Sequence, residues 1–113
     1  MPEPMPHIDV TELKRRIDEG RFARGEAVLL DVREPNEHAV CALPGATLVP
    51  MREVPAAVDD LPRDREVVVY CKVGGRSAQV VAFLRAKGVD ATNVAGGIKA
   101  WAEQVDPALP RYW

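Results

Sequence analysis

Apolar and polar positions along the chain switch between two periods, and the switching predicts its elements. Val10, Leu13 and Ile17 recur at helical spacing behind Asp9. This predicts a first helix with Asp9 as its N-cap, Glu12 completing a capping box, and Gly20 as its stop. Lys14, Arg15, Arg16, Asp18 and Glu19 alternate in sign around the rest of that helix, as a solvated face does. Two nearly continuous apolar runs, residues 27–32 and Glu66–Tyr70, have the pattern of strands covered on both faces in a parallel sheet. Ser77, Val80, Val81 and Leu84 fall at i, i+3, i+4 and i+7, so a helix runs from the turn after Tyr70 to about Lys87, with Gly88 as its cap.

Shorter pieces fill the intervals. His7–Ile8 reads as an edge strand, residues 34–38 as a turn and short helix, and residues 47–49 as a strand ended by Pro50. Residues 54–61 read as a weak helix with Pro55 in its first turn, and residues 62–65 as a turn. Ala91–Val94 is a last strand, Gly96-Gly97 a turn, and residues 98–104 a helix burying Trp101. Strand and helix alternate throughout, which predicts an α/β fold of three layers, a parallel sheet with helices on both faces. A chain of 113 residues supports one such core. Residues 1–6, with Pro at every second position, read as a flexible tail. Residues 7–105 form the domain. Residues 106–113 form a C-terminal tail whose Tyr112 and Trp113 either fold back or await a partner.

Composition narrows the function classes. A net charge of −2 gives no bulk attraction to nucleic acid or to an anionic membrane. No apolar run approaches membrane-spanning length, and the Pro-rich start lacks the apolar core of a signal peptide. A cytoplasmic protein is expected, with Cys41 and Cys71 as reduced thiols. His38 and Cys41 share an i, i+3 spacing, but a structural zinc site needs four ligands and the only other histidine is His7. No metal site is expected, and Cys41 reads as a packing residue.

The chemistry concentrates where the second apolar run ends. Cys71-Lys72-Val73-Gly74-Gly75-Arg76-Ser77 joins a strand to a helix N-terminus. Free N–H groups of that terminus point into the turn, and they and nearby cations favour a thiolate. Gly74 and Gly75 let the loop curl so that successive N–H groups converge on an anion. Cys71 is the candidate nucleophile, with Lys72, Val73, Gly74, Gly75, Arg76 and Ser77 as the candidate anion-binding loop. Asp31 and Arg33 end the neighbouring strand. They either add to the field of the site or form a loop-anchoring ion pair, and the second is favoured because ion-pair networks also gather near sites.

Cys71 through Arg76 resembles the active-site loop of the rhodanese sulfurtransferases, with its C-x4-R spacing. Three other stretches agree in order: Asp31-Val32-Arg33-Glu34, Leu43-Pro44-Gly45-Ala46, and Gly96-Gly97-Ile98-Lys99-Ala100-Trp101. Before the second of these the family commonly has Gly-His, where this chain has Cys41-Ala42. The resemblance implies a five-stranded sheet in the order 1-5-4-2-3. It also implies a two-step transfer of sulfane sulfur through a Cys71 persulfide, with no cofactor. The expected partners are a small anionic donor such as thiosulfate and a thiophilic acceptor. The loop and the C-terminal tail further resemble the rhodanese domain fused to adenylyltransferases, which implies a ubiquitin-like sulfur-carrier protein or a cysteine desulfurase as protein partner. Two other readings of the same residues are a non-catalytic docking module and a phosphatase or arsenate reductase. A tetrahedral oxyanion is served by a longer C-x5-R loop, whereas four residues separate Cys71 from Arg76.

Overall fold

The computed structural model describes residues 5–113. The strands are β1 (His7–Ile8), β2 (Ala27–Asp31), β3 (Thr47–Leu48), β4 (Glu66–Tyr70) and β5 (Ala91–Val94). The helices are α1 (Val10–Asp18), α2 (Pro35–Val40), α3 (Val54–Ala57), α4 (Gly75–Ala86) and α5 (Gly97–Gln104). All strand pairs are parallel and the order is β1-β5-β4-β2-β3, as the resemblance implied.

Alternation along the central strand decides which side of the sheet each residue serves. Val67, Val69 and Cys71 pack with Val80, Val81 and Leu84 of α4 and with Val54 and Val58. Val68 and Tyr70 pack on the other side with Val10 and Leu13 of α1 and Ile98 and Trp101 of α5. Strand β2 follows suit, with Leu30 and Val32 on the α4 side and Leu29 on the α1 side. The predicted stripe of α4 is buried as expected, and so is Trp101.

Local structure departs from the sequence pattern in three places, and a fourth was left open by the sequence. Asp9 accepts the Glu12 N–H at 2.8 Å, but the Glu12 carboxylate turns to Arg15, so only half of the predicted capping box forms. A strong cation one turn along competes successfully for that carboxylate. The predicted helix over residues 54–61 breaks up: α3 is a single turn between 3-10 turns at Met51–Glu53 and Val58–Asp60. Pro55 tolerates only the first turn, and the segment is held to the core by buried Val54 and Val58 and half-buried Leu61. Of the predicted N-terminal tail, residues 1–4 lie outside the described residues. Met5 packs on the α4-side core and the Pro6 carbonyl accepts the Asn93 N–H. The C-terminal tail folds back, with Leu109, Tyr112 and Trp113 against the α1-side core.

Candidate active site

Two helix N-termini converge on the segment after β4. The first belongs to α4. Gly74 takes φ +108° as its N-cap, a left-handed conformation that favours glycine, and this turn brings the loop back over the sulfur. The Gly74 N–H donates to Cys71 Sγ at 3.1 Å and the Ser77 N–H at 3.4 Å. The Ser77 hydroxyl lies 3.3 Å from the same sulfur. The second terminus belongs to α5, whose Ile98 and Lys99 N–H groups donate to the carbonyls of Cys71 and Lys72, both at 3.0 Å. A Cβ on Gly97 would stand 2.4 Å from the Lys72 carbonyl oxygen and 2.5 Å from that of Cys71, so only glycine permits this approach. The Gly-Gly turn is thus the clamp that fixes the loop backbone from behind.

Burial alone would push the Cys71 thiol up. The Ser77 hydroxyl and the N–H groups of Ser77 and Gly74 outweigh it and hold the thiol below its ordinary value. The direction agrees with the expectation from sequence; the cause is narrower, being chiefly hydrogen bonds rather than neighbouring cations.

The predicted cations are placed differently from one another. Arg76, expected as part of the anion-binding loop, instead makes a two-pronged pair with Glu37 of α2, at 2.7 and 3.0 Å. It lies at the start of α4, where a long side chain reaches across to the adjoining helix as readily as over the loop. The Arg76 pair holds the Glu37 carboxyl at about 2, against the opposing effect of burial. Lys72 sits at the edge of two aromatic rings, its Nζ 6.0 Å from the centroids of Tyr112 and Trp113. Val73 is exposed on the loop, and Gly75 opens α4.

Asp31 and Arg33 pair with each other in complete burial. The guanidinium donates from Nε to Oδ1 at 2.9 Å and from Nη2 to Oδ2 at 2.7 Å, and also to the Cys41 carbonyl at 2.7 Å. The Tyr70 hydroxyl donates to Asp31 Oδ2 at 3.1 Å, and His38 Nδ1 lies 2.8 Å from the same oxygen. Desolvation would raise the Asp31 carboxyl, but the bonds from Arg33 and His38 bring it below its ordinary value. Asp31 is register partner to Tyr70 and lies with it on the side of the sheet away from Cys71 Sγ. The pair therefore anchors the loop after β2 and does not meet the candidate nucleophile. Cys41 is buried beside Arg33 and packs on the α1 side. Among the described residues no cluster of metal-ligating side chains occurs.

Glu37 and Asn93 of this region escaped the sequence pattern, and Tyr112 was legible only as a tail residue that folds back or awaits a partner. The Tyr112 hydroxyl donates to Glu37 Oε2 at 2.6 Å. Asn93 accepts from the Ser77 hydroxyl at 2.6 Å and donates to the Gly74 carbonyl at 3.3 Å. An asparagine inside a short buried strand is disfavoured unless its amide is satisfied, and that mismatch was the available signal.

Residues 9–104 match the rhodanese-like domain family. The chain belongs to that family. It is 38% identical over 103 residues to a sulfurtransferase of Allochromatium vinosum, covering 90% of this chain and 92% of that protein. It is 40% identical over 115 residues to the rhodanese-like/PpiC domain-containing protein 12 of Arabidopsis thaliana, and 38% identical over 108 residues to the probable adenylyltransferase/sulfurtransferase MoeZ of Mycobacterium tuberculosis. These alignments take in 97% and 93% of this chain but span only 38% and 26% of those two proteins. Among solved structures, a rhodanese-like domain protein from Staphylococcus aureus superposes with a TM-score of 0.80 at 35% identity, over 89% of this chain and 95% of that one. No helix among the described residues is long and apolar enough to cross a membrane.

Proposed function

We propose that this rhodanese-family chain is a sulfurtransferase that carries sulfane sulfur as a persulfide on Cys71. The observation that carries the reading is the Cys71 sulfur itself, met by the Gly74 N–H, the Ser77 N–H and the Ser77 hydroxyl at the mouth of α4. These donors favour the anion at the start and again when the thiolate is regenerated. With thiosulfate, the Cys71 thiolate attacks the outer sulfur and forms a new S–S bond. The old S–S bond breaks and its electron pair leaves on sulfite. An acceptor nucleophile, cyanide in the test tube or a thiolate, then attacks the outer persulfide sulfur and returns the pair to Cys71 Sγ. The carrier is the cysteine, so the cycle as written uses no cofactor.

Arg76 supports this reading over a phosphatase. A phosphate cradle needs its arginine over the anion, whereas this guanidinium faces Glu37. The similarity to MoeZ, whose name joins adenylyltransferase to sulfurtransferase, supports a ubiquitin-like sulfur-carrier protein as acceptor. A cysteine desulfurase is the corresponding protein donor.

The test is whole-protein mass after thiosulfate. The chain should gain one sulfur atom, lose it to cyanide, and release a matching amount of thiocyanate, while Cys71→Ser should gain nothing. Hydrolysis of an aryl phosphate without any mass gain would replace this reading with the phosphatase. Neither activity, with thiosulfate or with a small-molecule persulfide as donor, would leave the docking module.

A further inference from the structure

The Ser77 hydroxyl has one proton and two acceptors. Cys71 Sγ stands 3.3 Å from Ser77 Oγ, and Asn93 Oδ1 stands 2.6 Å from it. One hydroxyl donates one hydrogen bond at a time. Ser77 is fully buried and Asn93 nearly so, so water does not supply a second donor freely. The amide of Asn93 is oriented by its other end, because Nδ2 donates to the Gly74 carbonyl at 3.3 Å. Turning the amide over would set its oxygen against that carbonyl, so the oxygen faces Ser77.

We propose that Asn93 is a positioning residue for sulfur transfer, which competes with the Cys71 sulfur for the Ser77 proton and so limits how firmly the site holds the sulfur anion. This rests on the sulfurtransferase reading above. While the thiol is protonated, Ser77 donates to Asn93 Oδ1 and presents a lone pair to the S–H. When the proton leaves the sulfur, the hydroxyl turns to donate to Sγ, and Asn93 Oδ1 loses its donor in a buried place. That loss opposes part of what Ser77 gives the anion. A limit of this kind suits a carrier, because an over-stabilised thiolate is a weak nucleophile, and the same sulfur must attack a donor in every cycle. The charged groups nearest this pair are few. Arg76 on α4 acts on the sulfur at a distance and is paired to Glu37 of α2, and Lys72 adjoins Cys71 in the chain. Among the described residues, none of them hydrogen-bonds Ser77 Oγ or Asn93 Oδ1.

The experiment is the rate of Cys71 alkylation by iodoacetamide against pH, in a Cys41→Ser background, for Asn93→Val, Ser77→Ala and the double variant. The readout needs no sulfur transfer, so failure of the wider functional reading would leave it intact. Valine keeps the branched shape that suits β5 while removing both amide groups. Asn93→Val should move the profile to lower pH and raise the thiolate fraction on its acid side about fivefold, the worth of one ordinary hydrogen bond, while the acid-side rate rises about twofold because the better-held anion is the weaker nucleophile. Ser77→Ala should move it to higher pH. The double variant should match Ser77→Ala, since Asn93 acts through that hydroxyl. A shift from Asn93→Val that persists without Ser77, or one toward higher pH, would assign Asn93 to holding Gly74 and overturn the proposal. The wild-type protein offers a second measurement free of any folding defect. The Asn93 side-chain carbonyl carbon resonance should titrate with the same midpoint as Cys71 alkylation, and a resonance that stays fixed through that midpoint would also overturn it.

Discussion

The two sides of the sheet near the carboxyl ends of β2 and β4 handle charge in opposite ways. On the α4 side, Cys71 Sγ, the group that the proposed reaction makes anionic, is met by backbone N–H groups and a hydroxyl. On the α1 side, Asp31 and Arg33 are full charges in complete burial, and they are matched to each other. Glu37 and Arg76 form a second pair that ties α2 to the start of α4. Dipoles serve the reacting atom because they stabilise a charge that comes and goes without needing a permanent partner. Full charges serve the frame because each leaves the other strongly uncompensated if removed. The site and its support are therefore separable, and five variants test that separation.

Cys71→Ser has the largest expected effect on transfer. It should abolish thiocyanate production while leaving thermal unfolding nearly unchanged, because the hydroxyl is a poor nucleophile and carries no persulfide. Cys41→Ser should keep most of the activity. Equal losses in the two would place both thiols in the reaction.

Arg33→Ala should do the reverse. Removing one member of a fully buried pair costs about 3–5 kcal/mol, read as a drop in the denaturation midpoint. Under conditions where the variant is still folded, the pH profile of Cys71 alkylation should match that of the parent. A changed profile in the folded variant would show that the two sides of the sheet are coupled.

Glu37→Gln should cost about 1 kcal/mol or less, since its partner Arg76 is partly exposed. The pH dependence gives the sharper measurement. A carboxyl held at about 2 rather than its ordinary 4.5 contributes stability that is complete above 4.5 and is lost as pH falls through about 2. Acid unfolding of the wild type should steepen across that window, and Glu37→Gln should flatten it. An unchanged slope would remove the Arg76 pair from the stability of the domain.

Lys72→Ala has the smallest expected effect. Its Nζ lies only at the outer edge of contact with Tyr112 and Trp113, so the charge remains available to an approaching anion. KM for thiosulfate should rise about threefold or less at low salt with kcat nearly constant, and the difference should fade in high salt. A salt-independent fall in kcat would put Lys72 among the groups that stabilise the transition state, and charge would then act on both sides of the comparison.

The residues of the chain by themselves determined where the candidate nucleophile sits along the backbone and which groups follow it. The apolar run ending at Tyr70 had to be a buried strand, the Ser77-Val80-Val81-Leu84 stripe had to be a helix, and Gly74-Gly75 between them had to supply the turn, of which only Gly74 takes a positive φ. Local sterics and burial dictate all three. The parallel α/β architecture followed from the alternation of elements, but the strand order came only from likeness to a family, because periodicity carries no information about which strands are neighbours. Tertiary structure alone decided which side chains meet. Asp31 and Cys71 close adjacent strands, yet one step in the pleat puts them on opposite sides of the sheet. Arg76 was legible as a cation by the site, but the partner that claims it, Glu37, lies 39 residues away in the chain. Asn93, 16 residues beyond Ser77, meets it only because β5 lies beside β4. Spacing along the chain encodes contacts within one element, whereas contacts between elements depend on packing that no local pattern records.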